Sequence, residues 1–280
     1  RRTMVGMTEF EFAEVNGHRL RYRVQGKGPL TVFGHGILGS IEQLLAGEEA
    51  LARLEERVRV LFYDARGHGK SSGPTDAAGY TWETLGRDMA HLIETQSDGP
   101  AIVGGASMGA ATALWVALER PELVRAMVVM MPPPLGHEMM RETNERQAIS
   151  MLEALAVAIE NFGLETTVQN LSLWPGFAAT EEERASRVAW LSGQNPETVL
   201  HVIKGLVTAP FHDPEMYRRI EAPTLVLAHE GDGLHPTRAA RLLAGLAPNS
   251  RLLVAERAGY WQENPGELFR EMERFLDELD

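Results

Sequence analysis

Ala101-Ile102-Val103-Gly104-Gly105-Ala106-Ser107-Met108-Gly109 decides how the rest of the chain is read. Its first four residues form a short apolar run of the kind that fills a strand buried on both faces, and the stretch from Met108 to Leu118 has the pattern of a helix. Between them stands G-x-S-x-G, which has chemical meaning only at such a strand–turn–helix junction. The glycines allow strand and helix to approach closely in a strained turn. Ser107 then projects at the tip, and the Met108 amide opens the helix. A glycine-rich turn with an incidental serine is the plainer alternative, and the flanking segments decide between the two.

Outward from this junction the same alternation recurs. Apolar runs at Leu30–Gly34, Val58–Tyr63, Val124–Met130, Thr224–Ala228 and Arg251–Ala255 are separated by helical patterns around Ile41–Leu54, Trp82–Glu94, Thr237–Leu246 and Glu263–Leu279. This predicts an α/β fold with a mostly parallel sheet. Phe10–Val15 and Arg19–Gln25 alternate on either side of Asn16-Gly17, which predicts an antiparallel hairpin ahead of it. The regularity breaks at Pro132-Pro133-Pro134. From there to about Pro214 the chain reads mostly as helix, so residues 132–215 are expected to form a helical cap inserted into a core of residues 1–131 and 216–280.

Two further segments carry a resemblance. His35-Gly36-Ile37-Leu38-Gly39 follows the Leu30–Gly34 run, and Asp64-Ala65-Arg66-Gly67-His68-Gly69-Lys70-Ser71 follows the Val58–Tyr63 run. With Gly105–Gly109 they give H-G-x-x-G, D-x-R-G-x-G-x-S and G-x-S-x-G in the order found in the α/β-hydrolase superfamily, which the chain resembles over nearly its whole length. The resemblance implies an eight-stranded, mostly parallel sheet with flanking helices, and Ser107 as nucleophile. The backbone amides of Ile37 and Met108 are implied as the oxyanion hole, worth about 3–4 kcal/mol for a single donor. His35 is expected to brace its loop and to stand near the substrate. Asp64, Arg66 and His68 are expected to stabilise turns. Gly34-His35-Gly36-Ile37-Leu38-Gly39 also satisfies the dinucleotide fingerprint G-x-G-x-x-G, with Asp64 as the ribose carboxylate of a dinucleotide-binding oxidoreductase. That alternative leaves the Gly105–Gly109 and Asp64–Ser71 segments and the hairpin unexplained.

Thr224–His229 followed by Glu230-Gly231-Asp232-Gly233-Leu234-His235-Pro236 resembles the family's acid-bearing segment, which places Asp232 as the triad carboxylate; His229 stands where the family has glycine. The family histidine should follow the last strand. Tyr260 occupies that position, in Gly259-Tyr260-Trp261-Gln262-Glu263, and the spacing to Pro265 is about two residues short. No histidine occurs after His235. A serine hydroxyl needs a base, and a tyrosine with a pKa of about 10 is roughly 0.1% ionised at pH 7. Three resolutions stand open. A base enters from another segment, with His235 foremost because it lies three residues from Asp232, and His229 or His35 behind it. Alternatively Ser107, Tyr260 and the amides serve a reaction without an acyl-enzyme, diverted from ester, lactone or C–C bond hydrolysis. Otherwise the protein is a non-catalytic binder or an inactivated hydrolase.

The expected ligand is an uncharged, largely apolar carbonyl compound held by Met108, Met131, Trp174, Phe177 and Trp261. No metal or organic cofactor is implied. With 27 Lys+Arg against 39 Asp+Glu, a net charge of −12 and no basic run, nucleic acid is excluded as a partner. The 44% hydrophobic content is spread along all 280 residues, as a globular core requires, with no run long enough to enter a membrane. No secretory signal pattern opens the chain, and the absence of cysteine rules out disulfides and thiolate chemistry. A cytoplasmic location is the expectation.

Overall fold

The computed structural model describes residues 10–45, 48–136, 139, 141–173 and 180–279. Eight strands form one sheet: β1 (Glu11–Val15), β2 (His18–Gly26), β3 (Leu30–Gly34), β4 (Arg59–Tyr63), β5 (Ala101–Ala106), β6 (Val124–Met130), β7 (Thr224–His229) and β8 (Ser250–Ala255). Their spatial order is β1-β2-β4-β3-β5-β6-β7-β8. The first two strands pair antiparallel, β2 pairs antiparallel with β4, and every pairing from there to β8 is parallel. Asn16 and Gly17 join β1 to β2 with φ of 48° and 83°, the left-handed pair that a two-residue hairpin requires.

The apolar runs are buried on both faces because successive side chains feed two separate cores. Val32, Leu61, Tyr63, Val103, Met127, Val129 and Val226 point to one side, where α3 (Trp82–Gln96) and α4 (Met108–Glu119) pack. Phe33, Val60, Phe62, Ile102, Val128, Leu225 and Leu227 point to the other, against α2 (Glu48–Glu55) and α11 (Pro265–Asp277). This is the period-2 signature of a two-sided sheet. Helix α3 begins in a capping box in which Thr81 and Thr84 satisfy each other's backbone amides. The helix expected over Ile41–Leu54 is described as α1 (Ile41–Leu44), which ends with Leu45 as its C-cap, and α2; residues 46–47 lie outside the described residues.

From β3 the chain turns through α1 and α2 on one face, and from β5 it turns through α4 on the opposite face. The strand order reverses between β3 and β5, and the loops leaving their carboxyl ends diverge there. Such a switch point opens a crevice, the usual ligand position in an open α/β sheet.

Between β6 and β7 run α5 (Thr143–Phe162), α6 (Leu164–Ser172), α7 (Glu181–Ser192) and α8 (Pro196–Thr208), which share their own apolar cluster around Ile159, Val168, Val199 and Ile203. Ile37 and Leu38, in the loop after β3, pack into that cluster, and Trp190 Nε1 donates to the Leu38 carbonyl at 2.8 Å. The helical layer therefore lies over the carboxyl end of β3. Helix α9 (Thr237–Leu246) is tied to it by Arg238, which reaches Glu142 at 2.9 Å and Glu145 at 2.5 Å. No helix among the described residues is long and apolar enough to cross a membrane.

Candidate active site

Ser107 stands alone between β5 and α4 with φ 53° and ψ −110°. A non-glycine residue in such a conformation stores about 1–3 kcal/mol of strain and persists only when its surroundings over-determine it. Here the Ser107 N–H donates to the Met130 carbonyl, and the Ala111 N–H donates to the Ser107 carbonyl, both at 3.0 Å. The turn closes because side chains are missing on both flanks. A β-carbon on Gly109 would lie 2.1 Å from the Gly34 carbonyl oxygen, and one on Gly105 would lie 2.5 Å from the same atom. Gly34, the first glycine of the dinucleotide-like pattern, thus serves helix–strand packing against Gly109.

The hydroxyl of Ser107 is 2.8 Å from His235 Nε2, and His235 Nδ1 is 2.8 Å from Asp232 Oδ2. An ionised carboxylate can only accept, so Nδ1 carries the proton and Nε2 is free to accept from Ser107. Asp232 Oδ1 accepts from the backbone amides of Leu234 at 2.8 Å and His235 at 3.1 Å. His229 Nε2 donates to Asp232 Oδ2, also at 2.8 Å. Burial alone would raise the Asp232 pKa, but the hydrogen bonds from His229 and His235 outweigh it and hold the carboxyl well below the usual carboxylate range. Hydroxyl, imidazole and carboxylate are therefore in line, with carboxylate and imidazole both on the loop between β7 and α9. His229 faces the carboxylate and not the serine.

Tyr260 is elsewhere. Its hydroxyl donates to Glu267 Oε2 at 2.6 Å, and its ring stands edge-on to Trp261 in a shallow groove beside β8 and α11. The hydrogen bond to Glu267, followed by partial burial, raises its pKa, the opposite of what a base would need. The assignment of Tyr260 to the catalytic group is thus corrected. The short loop after β8 turns the tyrosine outward, into α10 (Tyr260–Glu263), while Trp261 turns inward and donates from Nε1 to the Ala228 carbonyl at 2.8 Å.

A β-carbon on Gly36 would stand 3.6 Å from Ser107 Cβ, so the backbone leading to Ile37 passes over the serine with no side chain between. Met108 is the first residue of α4, where helix amides have no intrahelical acceptor. His35 does not offer a polar atom to a ligand. The Ala65 N–H donates to its Nε2 at 3.0 Å, so Nδ1 holds the proton and donates to the Gly36 carbonyl at 2.7 Å. Burial pushes its pKa down to about 4, fixing the neutral ring as a brace of this loop. Asp64 is fully buried, accepting from the Ile41 and Lys70 amides and paired with Arg21, which removes it as a ribose ligand. Arg66 forms a two-pronged bond with Asp88.

A cavity of about 280 Å³ is lined at one end by Gly36, Ala106 and Met131, which neighbour Ser107 although the serine itself is not part of its wall, and runs along the sheet face beneath α11, between Phe33 and Met272. Trp261 forms one wall, and Gln43 and Gln262 supply amides. Gln262 Nε2 lies 3.3 Å from Met131 Sδ. Among the described lining residues none is Asp, Glu, Lys or Arg. His35, Met131 and Trp261 were expected here and Met108, which does not line the cavity, was too; Ala106, Gln43 and Gln262 were not, because no local pattern marks a residue as lining a cavity. Trp174 and Phe177 lie outside the described residues.

With fold and site in view, the chain belongs to the alpha/beta hydrolase fold family, whose model matches residues 29–262. It is 28% identical over 258 residues to 2-hydroxy-6-oxo-6-(2'-aminophenyl)hexa-2,4-dienoic acid hydrolase of Metapseudomonas resinovorans, covering 89% of this chain and 84% of that protein. An epoxide hydrolase of Caballeronia sordidicola is 25% identical over 316 residues, covering 98% of this chain and 95% of the relative. Among solved structures, the enol-lactonase from Burkholderia xenovorans LB400 superposes with a TM-score of 0.79 at 22% identity, over 95% of this chain and 100% of that one, and supports the fold alone.

Proposed function

We propose that this protein is a serine hydrolase of uncharged esters or lactones with an apolar acyl part, and that His235 is its base. The observation that carries this is the unbroken line from Ser107 Oγ through His235 to Asp232, each step 2.8 Å. As Oγ attacks the carbonyl, His235 Nε2 takes its proton and Asp232 stabilises the imidazolium. The amides of Ile37 and Met108 receive the developing oxyanion. His235 then returns the proton to the leaving oxygen, and a water, deprotonated by the same imidazole, releases the acid. The acyl part occupies the cavity behind Ala106, with helices α5 to α8 as the cap over the entrance.

The dienoic acid named for the Metapseudomonas relative carries a carboxylate, which would call for a cation; the uncharged lining described here favours a neutral substrate. The test is labelling by a fluorophosphonate and turnover of p-nitrophenyl butyrate, compared among the unmodified protein, Ser107→Ala and His235→Ala. Ser107-dependent labelling and turnover that collapse in both variants are expected. An unmodified protein that neither labels nor turns over ester would overturn the proposal in favour of a binding role.

A further inference from the structure

Asp232 Oδ2 is shared by two imidazoles, and only one of them touches the serine. His229 is the last residue of β7 and is 2% exposed, held between β6 and β8. Its Nδ1 is buried with no hydrogen-bond partner among the described residues. A buried, half-satisfied imidazole is a net cost unless its one bond does something. That bond goes to Asp232.

The need for it follows from where acid and base sit. Both belong to one loop, residues 230–236, leaving β7. Asp232 Oδ1 is committed to the Leu234 and His235 amides, which shape the loop internally but do not anchor it to the body. The bond from His229 ties the carboxylate to the rigid end of the sheet. We infer that His229 is a positioning residue for the reaction: it fixes Asp232, and through it the reach of His235 to Ser107, while drawing part of the carboxylate's charge away from His235. The inference rests on the hydrolase reading above.

Nearby charges are engaged elsewhere. Glu230 holds Thr237 and Arg241, Arg238 holds Glu142 and Glu145, and Arg257 holds Glu263. On the flanking strands, Met130 of β6 and Ala255 of β8 carry no charge. Among the described residues Asp232 alone is the ionisable partner of His229.

The experiment is the pH profile of kcat/KM on p-nitrophenyl butyrate for the unmodified protein, His229→Leu and His229→Gln. Losing one hydrogen bond to a charged acceptor should lower kcat/KM about ten- to a hundredfold in His229→Leu. With the full carboxylate charge returned to His235, the acid limb of the profile should move to higher pH. His229→Gln places an amide N–H near the lost Nε2–H and should restore both. An unchanged His229→Leu, or a loss of rate with the acid limb unmoved, overturns the inference while Ser107 labelling keeps the hydrolase reading. Absent labelling of the unmodified protein removes both. Should the leucine variant fail to fold, proton NMR of the unmodified ¹⁵N-histidine protein decides: slowly exchanging ring N–H signals from His229 Nε2 and His235 Nδ1 are expected beside that of the buried His35 Nδ1, and a missing His229 signal overturns the inference.

Discussion

The loop after β7 and the loop after β8 divide the chemistry unevenly. The first, seven residues from Glu230 to Pro236, holds Asp232 and His235 with Ser107 at one end and His229 at the other. The second holds Tyr260 outward on Glu267 and Trp261 inward on Ala228. A triad is defined by atoms converging on a nucleophile and not by which loop delivers them. On the proposed reading one loop delivers two members. The other closes the apolar cavity.

The sharpest way to break this comparison is to remove a member of the first loop. His235→Ala should cost on the order of 10⁵–10⁶ in kcat on a p-nitrophenyl ester, and Asp232→Ala about 10⁴. A His235→Ala enzyme within tenfold of the unmodified protein would return the search for a base to the second loop.

A smaller effect lies in the scaffold that holds Ser107 against both loops. The β-carbon added by Gly109→Ala meets the Gly34 backbone at 2.1 Å, which no rotamer change can relieve. The expected loss is about 3 kcal/mol of stability, read from urea denaturation. An unchanged midpoint would mean that β3 and α4 can part at this contact without cost.

Acid should act on the brace of the loop that follows β3. Burial holds the His35 pKa at about 4, against 6.5 when exposed, so the unfolded chain takes up a proton first as pH falls. The stability from the neutral ring is complete above about pH 6.5 and is lost progressively down to about pH 4, roughly 3 kcal/mol in all. Denaturation midpoints measured across this range should fall in the unmodified protein and fall less in a stable His35→Gln variant.

The smallest effect belongs to the second loop. Tyr260→Phe removes only the bond to Glu267, and activity should stay within about twofold. Tyr260→His should give no gain in rate, because the side chain at that position faces the groove beside α11. A tenfold change in either variant would place Tyr260 back in the mechanism.

Local signals settled much of this protein. Strand runs, the Asn16-Gly17 turn and the glycines around Ser107 each act through neighbouring residues, so the fold and the turn that carries Ser107 could be read along the chain. Asp232 was singled out by its place after the next-to-last strand, and the structure sets it against His235. The role of His235 could be raised from its spacing but not decided, because 128 residues separate it from Ser107 and only the packing of β5 beside β6 and β7 brings the two within 2.8 Å. His229 was legible as a histidine where glycine was expected and as a rival base, but its bond to Asp232 was not. That it shares Asp232, that Tyr260 turns outward, and that an uncharged cavity opens behind Ala106 were decided by tertiary structure, since side-chain direction at a loop end depends on what the rest of the molecule packs against it.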